Sequence, residues 1–342
     1  MDNSNSIESP NAPGTTKRRR IALSDHQLIG KDFLSDGRLR LWKPAIEALN
    51  LVNWAASNRE HLAQELLQHG AILFRGFNVQ TVDEFERFMK SLTGELIDYS
   101  YRSTPRTQVS GKIYTSTEYP AHQNIPLHNE MSFTRQWPMM LGFFCIEAAE
   151  EGGETPIADS RKVYRRIDSL IRDRFTRQKV RYVRNYDNAL DLTWQDVFQT
   201  TTRADVESFC RESGIEFEWN SDDGLCTSSV CQAVAEHPRT GEMVWFNQAH
   251  LFHVTNLQTE IRESLLESYG GAPPRNAFYG DGSLISESDL EVIRAAYADE
   301  TIIFPWQDGD ILLLDNMLTA HGRRPYKGRR QIVVGMGQLF SA

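Results

Sequence analysis

The stretch Ile125-Pro126-Leu127-His128-Asn129-Glu130-Met131-Ser132-Phe133 holds the only one of the nine histidines with an acidic residue two positions on. In a strand, residues i and i+2 point to the same face, so this spacing predicts an imidazole and a carboxylate that share one metal ion. Two ligands do not make a site. The best third candidate is His321, in Thr319-Ala320-His321-Gly322-Arg323, between an expected strand at Asp310 to Leu314 and another that carries Arg329 and Arg330. Two histidines and one carboxylate on one face of a metal leave three positions open, the arrangement used by non-haem Fe(II) oxygenases. An isolated H-x-E triplet is common by chance, so the surrounding sequence has to carry the reading.

Outward from this motif, Pro138 to Ala148 is a long apolar run read as strand, closed by Gly152-Gly153. Upstream, Leu62, Leu66 and Leu67 recur at helical spacing within Asn58 to His69, and Gly70 supplies the stop. Ala71 to Phe77 reads as a buried strand, and Thr81-Val82-Asp83-Glu84 is a capping-box pattern that opens a helix through about Leu92. Downstream, strands are expected at Phe217 to Trp219, Met243 to Phe246, Asp310 to Leu314 and Gln331 to Gly335. Helices are expected at Lys162 to Arg172, Ala204 to Glu212, Gln258 to Ser268 and Glu287 to Tyr297. Strands and helices are segregated rather than alternating, which predicts an α+β class.

The whole-chain arithmetic fits one large domain or two of ordinary size: 342 residues, 40% hydrophobic and 24% charged. Residues 1–24 read as a polar tail whose basic block, Lys17 to Arg20, is expected to be solvated rather than a targeting or nucleic-acid element. Residues 25–342 read as a single domain. A formal net charge of −9 opposes broad binding to nucleic acid or anionic membrane. No apolar window is long enough to span a bilayer and the polar start lacks a secretory core, so a cytoplasmic protein is expected. The four cysteines show no C-x-x-C pair, which disfavours a zinc or redox site. Phosphate-binding glycine loops and G-x-S-x-G elbows are also missing.

Three segments occur in order: Ile125 to Phe133, Gly152-Gly153-Glu154-Thr155-Pro156-Ile157-Ala158-Asp159, and Ala320-His321-Gly322-Arg323-Arg324-Pro325-Tyr326-Lys327-Gly328-Arg329-Arg330. Together they resemble the taurine/2,4-dichlorophenoxyacetate (TauD/TfdA) family of Fe(II)- and 2-oxoglutarate-dependent dioxygenases. Within it, the H-N-E form and the A-H-G-R-x-P ending are most similar to syringomycin-biosynthesis-type (SyrP-like) hydroxylases. The resemblance spans roughly Ala71 to Met336. It implies a double-stranded β-helix (jelly roll, cupin-like) with surrounding helices, and a long insertion between about Val183 and Tyr279 over the active-site mouth. It implies iron ligands His128, Glu130 and His321, a Thr155 hydroxyl donor to 2-oxoglutarate, and Arg330 as that co-substrate's salt-bridge partner. Dioxygen is the other co-substrate.

A planar guanidinium suits the far carboxylate of 2-oxoglutarate. Arg330 and Arg329 lie on opposite strand faces, so one of them points inward; Arg330 is the choice and Arg329 the fallback. Arg323 reads as structural. Related halogenases carry a small residue in place of the carboxylate, so Glu130 favours hydroxylation, with desaturation or epoxidation as alternatives. The expected substrate is an amino acid or related small polar metabolite, free or tethered to a nonribosomal peptide synthetase carrier protein, in natural-product biosynthesis. Rival readings are oxidation of a macromolecule and a non-enzymatic jelly-roll binding module. Substrate contacts are sought at Asn124, with an Asx turn as its alternative, and at Arg102 and Arg106, with solvated surface arginines as theirs. His250 and His253 form an H-x-x-H pair without an acidic partner, expected in an active-site wall rather than on metal, and His122 is a weaker candidate for the pocket.

Overall fold

The apolar run after the metal motif is the middle of a twelve-residue strand, Gln136–Glu147, in a computed structural model of the chain. The structure describes residues 28–342 except 48, 100, 102, 187–190, 221–223 and 269–272. The polar tail at 1–24 and Arg102 therefore lie outside the described residues.

In chain order the strands begin β1 (Ile29–Leu34), β2 (Leu39–Pro44), β3 (Ala71–Phe74), β4 (Gln108–Ser110), β5 (Ile113–Thr115), β6 (Ile125–His128) and β7 (Gln136–Glu147). They continue with β8 (Glu151–Gly152), β9 (Ile157–Asp159), β10 (Val180–Asn185), β11 (Glu216–Trp219), β12 (Leu225–Cys231), β13 (Val234–Glu236), β14 (Met243–Trp245) and β15 (Arg275–Tyr279). The last four are β16 (Ile311–Asp315), β17 (Thr319–Arg323), β18 (Tyr326–Lys327) and β19 (Gln331–Ser341). An eight-stranded sheet has the order β1-β2-β3-β16-β7-β19-β5-β4, and a three-stranded sheet has the order β6-β17-β9.

Period-two patterning makes the large sheet two-sided. Met140 and Phe144 of β7, Ile311 and Leu313 of β16 and Val333 of β19 pack with Leu62, Leu66, Phe85 and Phe88 from the helices on one face. Leu141, Phe143 and Cys145, Leu312 and Leu314, and Ile332 and Val334 point the other way and enclose Ile157 of the small sheet. The two sheets thus face each other across an apolar interior, and His321 of β17 lies with its ring 5.0 Å from that of Phe143. This is a jelly roll with helices outside.

The local signals act as chemistry requires. Gly70, in the left-handed conformation, ends α2 (Arg59–His69), which follows α1 (Leu51–Ser57). Thr81 accepts from the Glu84 backbone while the Glu84 carboxylate accepts from the Thr81 and Gln80 N–H groups, opening α3 (Val82–Thr93). One expected helix is two: Ser160–Arg166 and Ser169–Gln178, because Asp168 caps a fresh N-terminus by accepting from Leu170 N. Helix α1 and the hairpin β1–β2 carried no periodicity strong enough to predict them.

Replacing Thr81 by Ala removes one cap donor's partner and loosens the box, at a cost of about 1 kcal/mol. The urea midpoint should fall with the slope unchanged, and Thr81→Ser should keep most of the loss from appearing.

Candidate metal and co-substrate site

The antiparallel register of the small sheet sets His321 directly opposite His128, and their ring centroids are 4.6 Å apart. On its other side His321 pairs with Ile157 of β9, so the strand that carries it is central and buried. His128 Nδ1 lies 2.8 Å from the Pro126 carbonyl oxygen. That oxygen only accepts, which places the proton on Nδ1 and leaves a lone pair on Nε2. Burial lowers the pKa of His128, and burial first, with the Arg106 charge and the neighbouring imidazole adding to it, pushes that of His321 well below its ordinary value. Both imidazoles are therefore neutral near pH 7, the state a metal ligand requires.

Glu130 does not reach the pair by strand alternation. Strand β6 ends at His128, and Glu130 stands in the turn that follows, with Met131 next to it at φ 56°. The turn is shaped by a side chain 186 positions away: Asn316 Oδ1 accepts from Glu130 N at 2.8 Å, and Asn316 Nδ2 donates to the carbonyl oxygens of Glu130 and Pro138. Asn129 Nδ2 donates to Ser160 Oγ and the Asn316 carbonyl, and Gln248 Nε2 donates to the Asn129 carbonyl. One donor atom from each of His128, Glu130 and His321 then falls within 4.8 Å of the others, the one such cluster among the described residues. Nothing in the sequence around Asn316 or Gln248 signals these contacts, which exist only after distant strands meet.

Arg106 is not a surface residue. It is buried, its Nη2 donates to Glu130 Oε2 at 2.6 Å, and its guanidinium lies over the Tyr99 ring. Burial opposes its charge, but Glu130 outweighs that and holds its pKa above the ordinary arginine value.

Thr155 is buried and its Oγ1 accepts from Trp306 Nε1 at 3.0 Å, so the hydroxyl hydrogen is left to donate elsewhere. Arg330 turns inward, where Nε donates to the Gly153 carbonyl and Nη1 to Ser116 Oγ, while Arg329 is exposed. Burial, then repulsion from Arg323, brings the Arg330 pKa down to about 10, still charged at neutral pH. Gly152 and Gly153 both have positive φ, and a Cβ on Gly153 would sit 2.9 Å from Arg330 Cδ. Glycine at 153 therefore makes room for the arginine two residues from Thr155.

The remaining candidates lie elsewhere. Asn124 and His122 are exposed. Arg323 donates to the carbonyls of Thr117, Tyr119, Pro120 and Gln123, tying down the loop before β6. His250 Nε2 donates to the Leu127 carbonyl and supports the motif strand from behind; burial takes its pKa to about 4. His253 accepts from Thr255 N and is likewise at about 4. Burial pushes the thiols of Cys145 and Cys210 up to about 12.

The profile described as "Taurine catabolism dioxygenase TauD, TfdA family" matches residues 39–336. The chain belongs to the TauD/TfdA family. It is an Fe(II)- and 2-oxoglutarate-dependent dioxygenase. The dioxygenase is 42% identical over 278 residues to the dapdiamide synthesis protein DdaC of Enterobacter agglomerans, covering 81% of this chain and 84% of that one. It is 29% identical over 310 residues to a clavaminate synthase-like protein of Arabidopsis thaliana, covering 86% and 89%. Among solved structures, PvcB, an Fe, α-ketoglutarate-dependent oxygenase from an isonitrile synthetic pathway, superposes with a TM-score of 0.54 at 15% identity, covering 93% of this chain and 94% of that one. A taurine dioxygenase from Burkholderia xenovorans gives 0.51 at 15%, covering 91% and 90%. At these identities the two structures speak for the shared jelly roll. No helix among the described residues is long and apolar enough to cross a membrane.

Asn316→Ala leaves one buried N–H and two buried carbonyls around Glu130 without their partner, and a loss of about 3 kcal/mol of stability is expected. Mn(II) affinity, followed by electron paramagnetic resonance, should fall at least tenfold in the same variant because the Glu130 turn is no longer held.

Proposed function

We propose that this dioxygenase hydroxylates an unactivated C–H bond of an amino acid or related small polar metabolite, free or carrier-tethered, in natural-product biosynthesis. His128, Glu130 and His321 hold the iron, and Thr155 and Arg330 hold the far carboxylate of 2-oxoglutarate. The observation that carries this reading is the convergence of two neutral imidazoles and one carboxylate within 4.8 Å. The donor set fits: a borderline metal takes nitrogen from imidazole and oxygen from carboxylate, and three protein ligands leave room for co-substrates. Bound iron supplies the oxidising chemistry with 2-oxoglutarate and dioxygen; the chain supplies orientation and exclusion of water.

Glu130 supports oxygen insertion over halogenation, since its carboxylate occupies the position a halide would need. The relatives support the biosynthetic setting: one is named for dapdiamide synthesis and one fold neighbour comes from an isonitrile synthetic pathway. Residues 25–342 are read as one catalytic domain of a cytoplasmic enzyme. The sheet β11-β12-β10-β15, most of which falls in the segment from about Val183 to Tyr279, is read as the cover of the mouth. Its core is shared with Tyr101 and with Leu127 and Phe133 of the metal motif. Asn124, which is exposed, and Arg102, which lies outside the described residues, stay as proposed substrate contacts.

The test is substrate-dependent succinate formation against free amino acids and carrier-loaded aminoacyl thioesters. Turnover with one class and none with the other decides between free and tethered substrate, and no stimulation by any of them contradicts the substrate assignment. In the same assay Arg330→Ala should raise the 2-oxoglutarate concentration needed for half-maximal rate at least tenfold, about 1.4 kcal/mol or more. Arg329→Ala should change it less than twofold, and the reverse order would move the clamp to Arg329.

A further inference from the structure

Arg106 touches the metal cluster, yet neither the ligand set nor the 2-oxoglutarate clamp uses it. Its side chain is 3% exposed, as is that of Glu130. One N–H donates to Glu130 Oε2, while Nε and Nη1 are buried without an acceptor among the described residues. A guanidinium carries five N–H donors and no means of shedding its charge, so unpaired donors in a dry site call for an anion. The Tyr99 ring, 4.5 Å from the guanidinium carbon, supports one face and keeps the group in place.

Charge points the same way. Glu130 is the sole carboxylate of the cluster, and Arg106 offsets it at contact distance. The protein therefore presents almost no net charge to a divalent cation, and a carboxylate brought to the metal offsets part of the cation's charge. The loop that carries Arg106 is anchored for this task. Arg275 of β15 donates to the Ser103 carbonyl at 2.7 Å, and Gln199, which follows the helix Trp194–Phe198, donates to the Tyr99 carbonyl, so the backbone at Ser103 and at Tyr99 is held on both sides of the guanidinium's support.

We propose that the unpaired N–H groups of Arg106 receive a carboxylate brought to the metal, making Arg106 an anion-binding residue of the site rather than a structural partner of Glu130. The inference rests on the metal assignment above. The carboxylate has two possible sources, the chelating end of 2-oxoglutarate or an acidic group of the substrate, and both present the same planar pair of oxygens to the guanidinium.

The experiment uses the full chain, Arg106→Gln and Arg106→Lys, with melting temperature as the folding control. Mn(II) binding is followed by electron paramagnetic resonance. Oxalate and N-oxalylglycine are then titrated calorimetrically into the Mn(II) protein, and acetate into the Mn(II)–N-oxalylglycine protein. Arg106→Gln is expected to bind Mn(II) at least as tightly as wild type, since a cation has left the site, and to bind the carboxylate at least tenfold more weakly. Arg106→Lys, which keeps the charge without the fork, should fall between; it carries the test if Arg106→Gln does not fold. Weakening seen with oxalate, which has no far carboxylate for Arg330, assigns the chelating end of the co-substrate. Oxalate unchanged and acetate weakened assigns the substrate. Variants that match wild type with all three anions overturn the proposal while leaving the metal reading intact, whereas wild type that binds neither Mn(II) nor N-oxalylglycine sinks both.

Discussion

The cross-strand pairing of His321 with His128 is the constraint around which the molecule is arranged. These residues come from opposite ends of the catalytic half, and the pairing holds only if β17 enters between β6 and β9. That entry requires β16 to have completed the large sheet beside β3 and β7, so the apolar alternation of the long strands is what places the chain to deliver a ligand. Hydrophobic burial supplies the driving force, and the small polar sheet uses the geometry that results. Closing such a topology costs chain entropy before the contacts form, which is why most of the 342 residues serve one barrel.

Once the strands are set, polar side chains finish the site. Asn316 reads like a duplicate of backbone, accepting from one peptide and donating to two others, and it turns the chain after His128 so that Glu130 faces the imidazoles. His321 is buried and His128 half-buried, both imidazoles are neutral, one carboxylate supplies the negative charge, and Arg106 offsets that charge from the side. Arg330 Nε donates to the Gly153 carbonyl, two residues from Thr155. The buried Arg106 and the half-buried Arg330 supply two inward guanidiniums, which suit anionic ligands.

What could be read from sequence follows the range of the interactions. The Thr81–Glu84 box, the Gly70 stop and the apolar strand after Gln136 are local, and each stands where its residues indicated. The sequence also singled out the histidines that the fold brings together, because the motif order matched a family whose profile covers the same region. Strand periodicity joins His128 to Glu130 in the sequence, and there the structure differs: a turn held by Asn316 brings them together. Arg106 read as a substrate contact or else a solvated arginine, and its pairing with Glu130 was not legible, since burial comes from Tyr99 and Glu130 meeting around it and no local pattern encodes that meeting. The split at Asp168 was missed for the opposite reason, as the helical periodicity on both sides hid a cap in plain view.

The central claim is that His128, Glu130 and His321 form one open metal centre that takes Fe(II) and 2-oxoglutarate together. Anaerobic titration of Fe(II) and 2-oxoglutarate into the protein, followed by visible absorption, tests it most directly. The account predicts a weak charge-transfer band that saturates at about one equivalent of iron per chain and is lost in Glu130→Ala, as expected for a chelate on a three-ligand centre. No band at saturating concentrations of both, or a band unchanged by Glu130→Ala, would contradict it.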